Sequence, residues 1–153
     1  MYTVEQRNQV RELTDVPFPA AGAPNPLVLA DESTLVVAYL SVTAACLVVF
    51  KQCYASHFGL PNEGAFTSHP LAEQGLPPYG AFEVENSSWV RGLATRNLSH
   101  PRHDPQVFQR LRHWVWTFED SVLECAALSY AAEEGQAQPI ELLDRMQALL
   151  RSR

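Results

Sequence analysis

Lysine occurs once, at Lys51, and cysteine three times, at Cys46, Cys53 and Cys125, with no Cys-x-x-Cys spacing. A single lysine in a chain of net charge −6 argues against nucleic acid as a partner. An odd number of unpaired-looking cysteines, two of them inside apolar runs where Cys acts as a small hydrophobe, excludes a disulfide framework and a zinc module; a reducing cytoplasm is the expected compartment. Gly-x-Ser-x-Gly, a P-loop and Gly-x-Gly-x-x-Gly are missing too, so serine hydrolases, P-loop nucleotidases and dinucleotide enzymes lose their usual signatures. The first sixteen residues mix both charge signs and lack the apolar core of a signal peptide. The sequons at Asn86 and Asn97 matter only in an exported chain and carry no weight.

What is present fits one soluble domain. The chain has 153 residues, 46% hydrophobic and 18% charged, which is enough apolar material for a single core and too little charge for disorder. Eleven prolines mark joints, chiefly over 17–26, 61–78 and 101–105. The longest uncharged run, Ser33 to Phe50, reaches the length of a candidate membrane span. Its valines and the polar Ser41 and Thr43 favour strands instead, and no membrane partner is expected. Arginine in place of lysine, with many alanines, suits a GC-rich bacterial genome.

The periodicities predict an α+β fold: a small, mostly antiparallel sheet from two hairpin-like strand groups, with two or three helices packed on it. Residues 1–26 are expected to be irregular, with at most a short helix carrying Val4, Val10 and Leu13. LVLA, TLVVAYLSV and CLVVFKQC then read as three antiparallel strands turning at Asp31-Glu32-Ser33 and near Thr43-Ala44-Ala45. Four glycines and four prolines make 59–80 an irregular excursion. AFEV reads as a strand, followed by a helix capped at Asn86 or Ser87, burying Trp89, Val90 and Leu93 and ended by Pro101. Asp104-Pro105 starts a helix of two to three turns through Val107, Phe108 and Leu111. From Pro139 to Arg151, Ile140, Leu142, Leu143, Met146, Leu149 and Leu150 form the clearest amphipathic stripe, expected to dock on the sheet or on a second copy of the chain as a homodimer.

Residues 113–130 read as two strands joined at Glu119-Asp120, with a helix as the alternative. A two-residue turn there sets Trp116 opposite Leu123 and Trp114 opposite Cys125, so Trp114, Trp116, Phe118, Leu123 and Cys125 share a core face. The other face carries His113 and Glu124 as diagonal neighbours, either a general acid–base pair or a buried pair that fixes the hairpin register. The same register separates Cys125 from His113 and speaks against a Cys-His dyad.

Charge supplies the second lead. Between Arg91 and His113 there are five arginines and one acid, Asp104, making this segment +4 and the remainder −10. Guanidinium groups grip carboxylates and phosphates with two prongs, so a small anionic ligand is the leading expectation, unless these arginines pair with the chain's own acids. Expected contacts are Arg102, His103, His69 and His100, with His113 and Glu124 as catalytic candidates. The loop 59–80 and the turn 100–104 are the expected pocket walls. One rival is a non-catalytic interaction or dimerisation module. A weaker rival joins two histidines to Glu83 or Glu124 around a metal, although no metal-ligand spacing is present: His100 and His103 are three apart across Pro101.

Overall fold

The structure is a computed structural model and describes residues 2–23, 25–135 and 139–152. In chain order the elements are β1 (Gln9–Glu12), β2 (Leu27–Ala30), β3 (Thr34–Leu40), β4 (Ala45–Lys51), β5 (Ala55–Gly59), two short 3-10 turns (Glu63–Ser68 and Ala72–Gln74), β6 (Gly80–Glu85), α1 (Ser88–Asn97), α2 (Pro105–Arg110), β7 (Arg112–Thr117), β8 (Val122–Ala127), β9 (Ser129–Gly135) and α3 (Pro139–Arg151). Mixed α+β architecture with antiparallel pairing is therefore what forms. The two strand groups do not share one sheet. They build a five-stranded sheet, β1-β6-β7-β8-β5, and a four-stranded sheet, β2-β3-β4-β9.

The sheets stack through one apolar layer. Leu35, Val37, Tyr39, Val48 and Phe50 of the four-stranded sheet meet Trp114, Trp116, Leu123 and Cys125 of the other, and the Phe50 and Trp116 rings pack edge to face at 5.0 Å. β3 and β4 are buried along almost their whole length, as strands covered on both sides must be. Their outer face, Val36, Ala38, Leu47 and Val49, is covered by Met146 of α3. Of the two expected destinations of the 139–151 helix, the chain's own sheet is the one that Met146 and Leu149 take; the side chains of Ile140, Leu142, Leu143 and Leu150 lie outside what the structure describes. The outer face of the five-stranded sheet is covered by the 59–80 excursion, through Phe66, Leu71 and Leu76, and by α1 and α2, through Val90, Leu93, Phe108 and Leu111.

Side chains close the turns where glycine is missing. Asp31 Oδ1 accepts the N–H groups of Ser33 and Thr34, each at 2.8 Å, and Ser41 Oγ accepts those of Thr43 and Ala44 at 3.2 and 3.0 Å. Asn86 takes the left-handed backbone, φ 53°, that turns β6 into α1, and Ser87 caps the helix by accepting the Val90 N–H.

Three expectations change. The N-terminal helix is replaced by β1, antiparallel to β6: a helix of this length is marginal alone, whereas as a strand the segment pairs Arg11 with Glu83 and Glu85, puts Val10 on the outer cluster and is followed by Leu13 in the inter-sheet core. α2 is six residues, shorter than two turns, because Leu111 already has extended backbone leading into β7. β5 and β9 extend the two sheets where no strand was expected beyond Cys53 and Tyr130. Among the described residues no helix is long and apolar enough to cross a membrane.

Candidate functional site

β7 and β8 turn at Glu119-Asp120, with the Phe118 N–H bonded to the Ser121 carbonyl at 2.9 Å. The register sets Trp116 opposite Leu123 and Trp114 opposite Cys125, as a two-residue turn dictates, and the alternation sends His113 and Glu124 together to the outer face. There His113 Nε2 lies 2.7 Å from Glu124 Oε2. The 59–80 excursion brings His69 to the other oxygen, Nε2 to Oε1 at 2.8 Å, and the N-terminal segment brings the Tyr2 hydroxyl to Oε2 at 2.5 Å. Behind the first imidazole, Ser87 Oγ sits 2.9 Å from His113 Nδ1. A carboxylate only 4% exposed is thus ringed by two imidazoles and a phenol drawn from three distant parts of the chain.

The proton positions follow from the bonds. The Leu71 N–H points at His69 Nδ1 at 3.1 Å, so that nitrogen is an acceptor and Nε2 carries the hydrogen given to Glu124. A histidine in this state has no free lone pair at Nε2, which removes it as a metal ligand. Among the described residues no group of three or more His, Cys, Asp or Glu is arranged to hold a metal ion. For His113, Ser87 accepts the Val90 N–H and has its own hydroxyl hydrogen to place; giving it to His113 Nδ1 leaves Nε2–H for Glu124 and satisfies every group. An imidazolium would instead load Ser87 with two donors and strand its hydroxyl hydrogen.

Burial alone would push the Glu124 carboxyl up, but the hydrogen bonds from His113 and His69, with the electrostatic pull of His113 and then the Tyr2 bond, outweigh it and hold the group well below the usual carboxylate range. That is the state of a fixed acceptor rather than of an acid. The Tyr2 phenol is pushed up, by its own burial first and by Glu124 second, and stays a donor.

Outside this cluster lies a cavity of about 900 Å³ between the N-terminal segment, β5 and α1, with Glu124 in its wall. Tyr2 and Trp89 stack there, ring centres 5.6 Å apart, and Trp89 packs edge-on to His113 at 4.8 Å. His57, directly opposite Glu124 in the β5–β8 register, lines the same wall. Arg91 also lines it but is committed, giving hydrogen bonds to Glu5 at 2.9 Å and to the Asn86 carbonyl at 2.6 Å. Arg96, in the last turn of α1, is exposed and makes no ion pair among the described residues.

No known family, curated protein or solved structure matches this chain.

The expected site residues divide into two groups. His113, Glu124 and His69 converge. His100, Arg102 and His103 stay in the turn between α1 and α2, away from the cavity: His103 Nδ1 pairs with Asn97 Oδ1 at 2.8 Å and its ring stacks on Phe108, and His100 Nδ1 accepts the Arg102 N–H at 3.0 Å. Neither this turn nor the 59–80 excursion walls the cavity; the excursion lies behind Glu124 and supplies His69. Glu83 pairs with Arg11 and Arg112. Cys125 lies in the inter-sheet core, on the face opposite His113. Of the remaining residues here, Ser87 was read from the sequence only as a helix cap, Arg96 only as one of five clustered arginines and His57 only as one of five histidines, while Tyr2 carried no signal.

Proposed function

We propose that the chain is a small-molecule-binding domain whose ligand occupies the cavity between the N-terminal segment, β5 and α1 and carries an anionic group. One observation carries this reading: the cavity has the volume of a ligand site and combines stacked aromatic rings, a buried carboxylate and an arginine without an ion pair. Arg96 and, beside it, the Glu5-bridged Arg91 are the groups that meet the anion. This assignment moves the arginine contact from Arg102 to the end of α1.

Native mass spectrometry of freshly purified protein, read beside its denatured mass, tests the reading. The expected result is excess mass from a retained ligand, or, for empty protein, a rise in melting temperature with a panel of small carboxylates and phosphates that Arg96→Ala abolishes. A hundredfold excess of ligand over its Kd corresponds to about 2.7 kcal/mol of stabilisation, well within detection. A clean mass together with a flat response to the whole panel overturns it.

A further inference from the structure

The charge on the cavity wall specifies the ligand further, an inference that rests on the cavity reading above. His69 is held neutral by the Leu71 N–H, and the bonds around Ser87 are complete only with His113 neutral. Tyr2 is a neutral donor. Glu124 is therefore an anion surrounded by three uncharged donors, and among the described residues its ion-pair partners within 4.0 Å include no arginine or lysine. A carboxylate satisfied in this way is stable where it stands, yet its negative charge is not cancelled, and in a water-poor wall it repels an approaching anion.

The surroundings suit a cation. Among the described residues Glu124 Oε1 accepts only the His69 bond, so a lone pair remains. The Tyr2 and Trp89 rings lie against the same cluster, and aromatic faces attract ammonium groups. Arg91 shares the Glu5 carboxylate with Arg7, so the cavity runs from a net negative site at Glu124 to a positive one at Arg96 and Arg91. From Trp89 to Arg96 is seven residues along α1, about 10 Å at the helical rise. We infer that the ligand is amphoteric, setting an ammonium group against Glu124, Tyr2 and Trp89 and an anionic group on Arg96, with a chain of several atoms between the two.

Isothermal titration of the full chain at pH 7 with 4-aminobutanoate, 6-aminohexanoate and 8-aminooctanoate, each beside its N-acetyl derivative and its methyl ester, tests this. One chain length should bind. Acetylation, which removes the ammonium charge and keeps the carboxylate, should weaken it roughly tenfold, and Glu124→Gln should erase that difference. The wild-type titrations alone decide the matter if the variant fails to fold. An N-acetyl derivative that binds as tightly as its parent overturns the ammonium contact and leaves the anionic reading standing. A methyl ester that binds as tightly as the acid overturns the anionic reading, and no binding at millimolar concentration by any of the nine overturns both.

Discussion

The two faces of the five-stranded sheet are separated by a single residue step and stabilised by different physics. On β8, Leu123 and Cys125 point into the layer between the sheets, while Glu124 points outward beneath the excursion and α1. The inner face is held by apolar area, where each methylene counts and geometry is forgiving. The outer face is held by a closed count of hydrogen bonds, where one missing partner leaves a buried charge unsatisfied. A mutation should therefore be graded on the inner face by volume and on the outer face by chemistry at constant volume.

The largest effect should come from the inner face. Trp116 is fully buried against Phe50 and Tyr130, and Trp116→Ala should cost about 3–5 kcal/mol in urea denaturation. Glu124→Gln, nearly the same size, should cost about 1–3 kcal/mol at pH 7, because its amide sets a donor against the Nε2–H of His69 or His113. A cost near zero would show that the outer face is held by packing after all.

Acid sharpens the contrast. The folded Glu124 carboxyl titrates below its unfolded value of about 4.3, so its contribution is present above that pH and is lost as pH falls through it toward the folded value. The gap between wild type and Glu124→Gln should narrow steadily as pH falls from 5 to 3, whereas wild type and Trp116→Ala should keep their difference. Parallel wild-type and Gln curves from pH 6 to 3 would contradict the assignment.

Ser87→Ala should cost about 1 kcal/mol through the lost cap, and it should also shift the 15N resonance of His113 Nδ1, which loses its hydroxyl donor. The smallest effect should be at the surface, where Arg145→Ala breaks an exposed pair with Glu133 and should leave the denaturation midpoint unchanged.

How much of this was legible in the sequence depended on range. The His113–Glu124 contact follows from a two-residue turn and a period of two, both local. β5 and β9 went unread because ASHFG and SYAAEEG are largely exposed edge strands with little apolar alternation. Tyr2 and His69 reach Glu124 across 122 and 55 residues of chain, and no local pattern encodes such a meeting. The arginine-rich segment read as one patch, but folding pairs Arg91 with Glu5 and Arg112 with Glu83, which leaves Arg96 as the guanidinium in the cavity wall with no ion pair among the described residues. The apolar runs of β3 and β4 announced strands; that both their faces are covered depends on which elements pack over them.

One join between the sheets has consequences for how the molecule opens. β8 and β9 belong to different sheets and are separated only by Leu128, whose N–H bonds to the Lys51 carbonyl at 3.2 Å; beside it the chain steps back from β4 to β5, with the Tyr54 N–H on the Ala126 carbonyl at 2.8 Å. The chain thus crosses between the sheets twice at one corner, each crossing held by a bond that extends one sheet's ladder, and neither sheet can fray past it without pulling on the other. Amide hydrogens in β3, β4, β7 and β8 should then exchange through one shared opening, with a common free energy, so that the two sheets behave as a single cooperative unit.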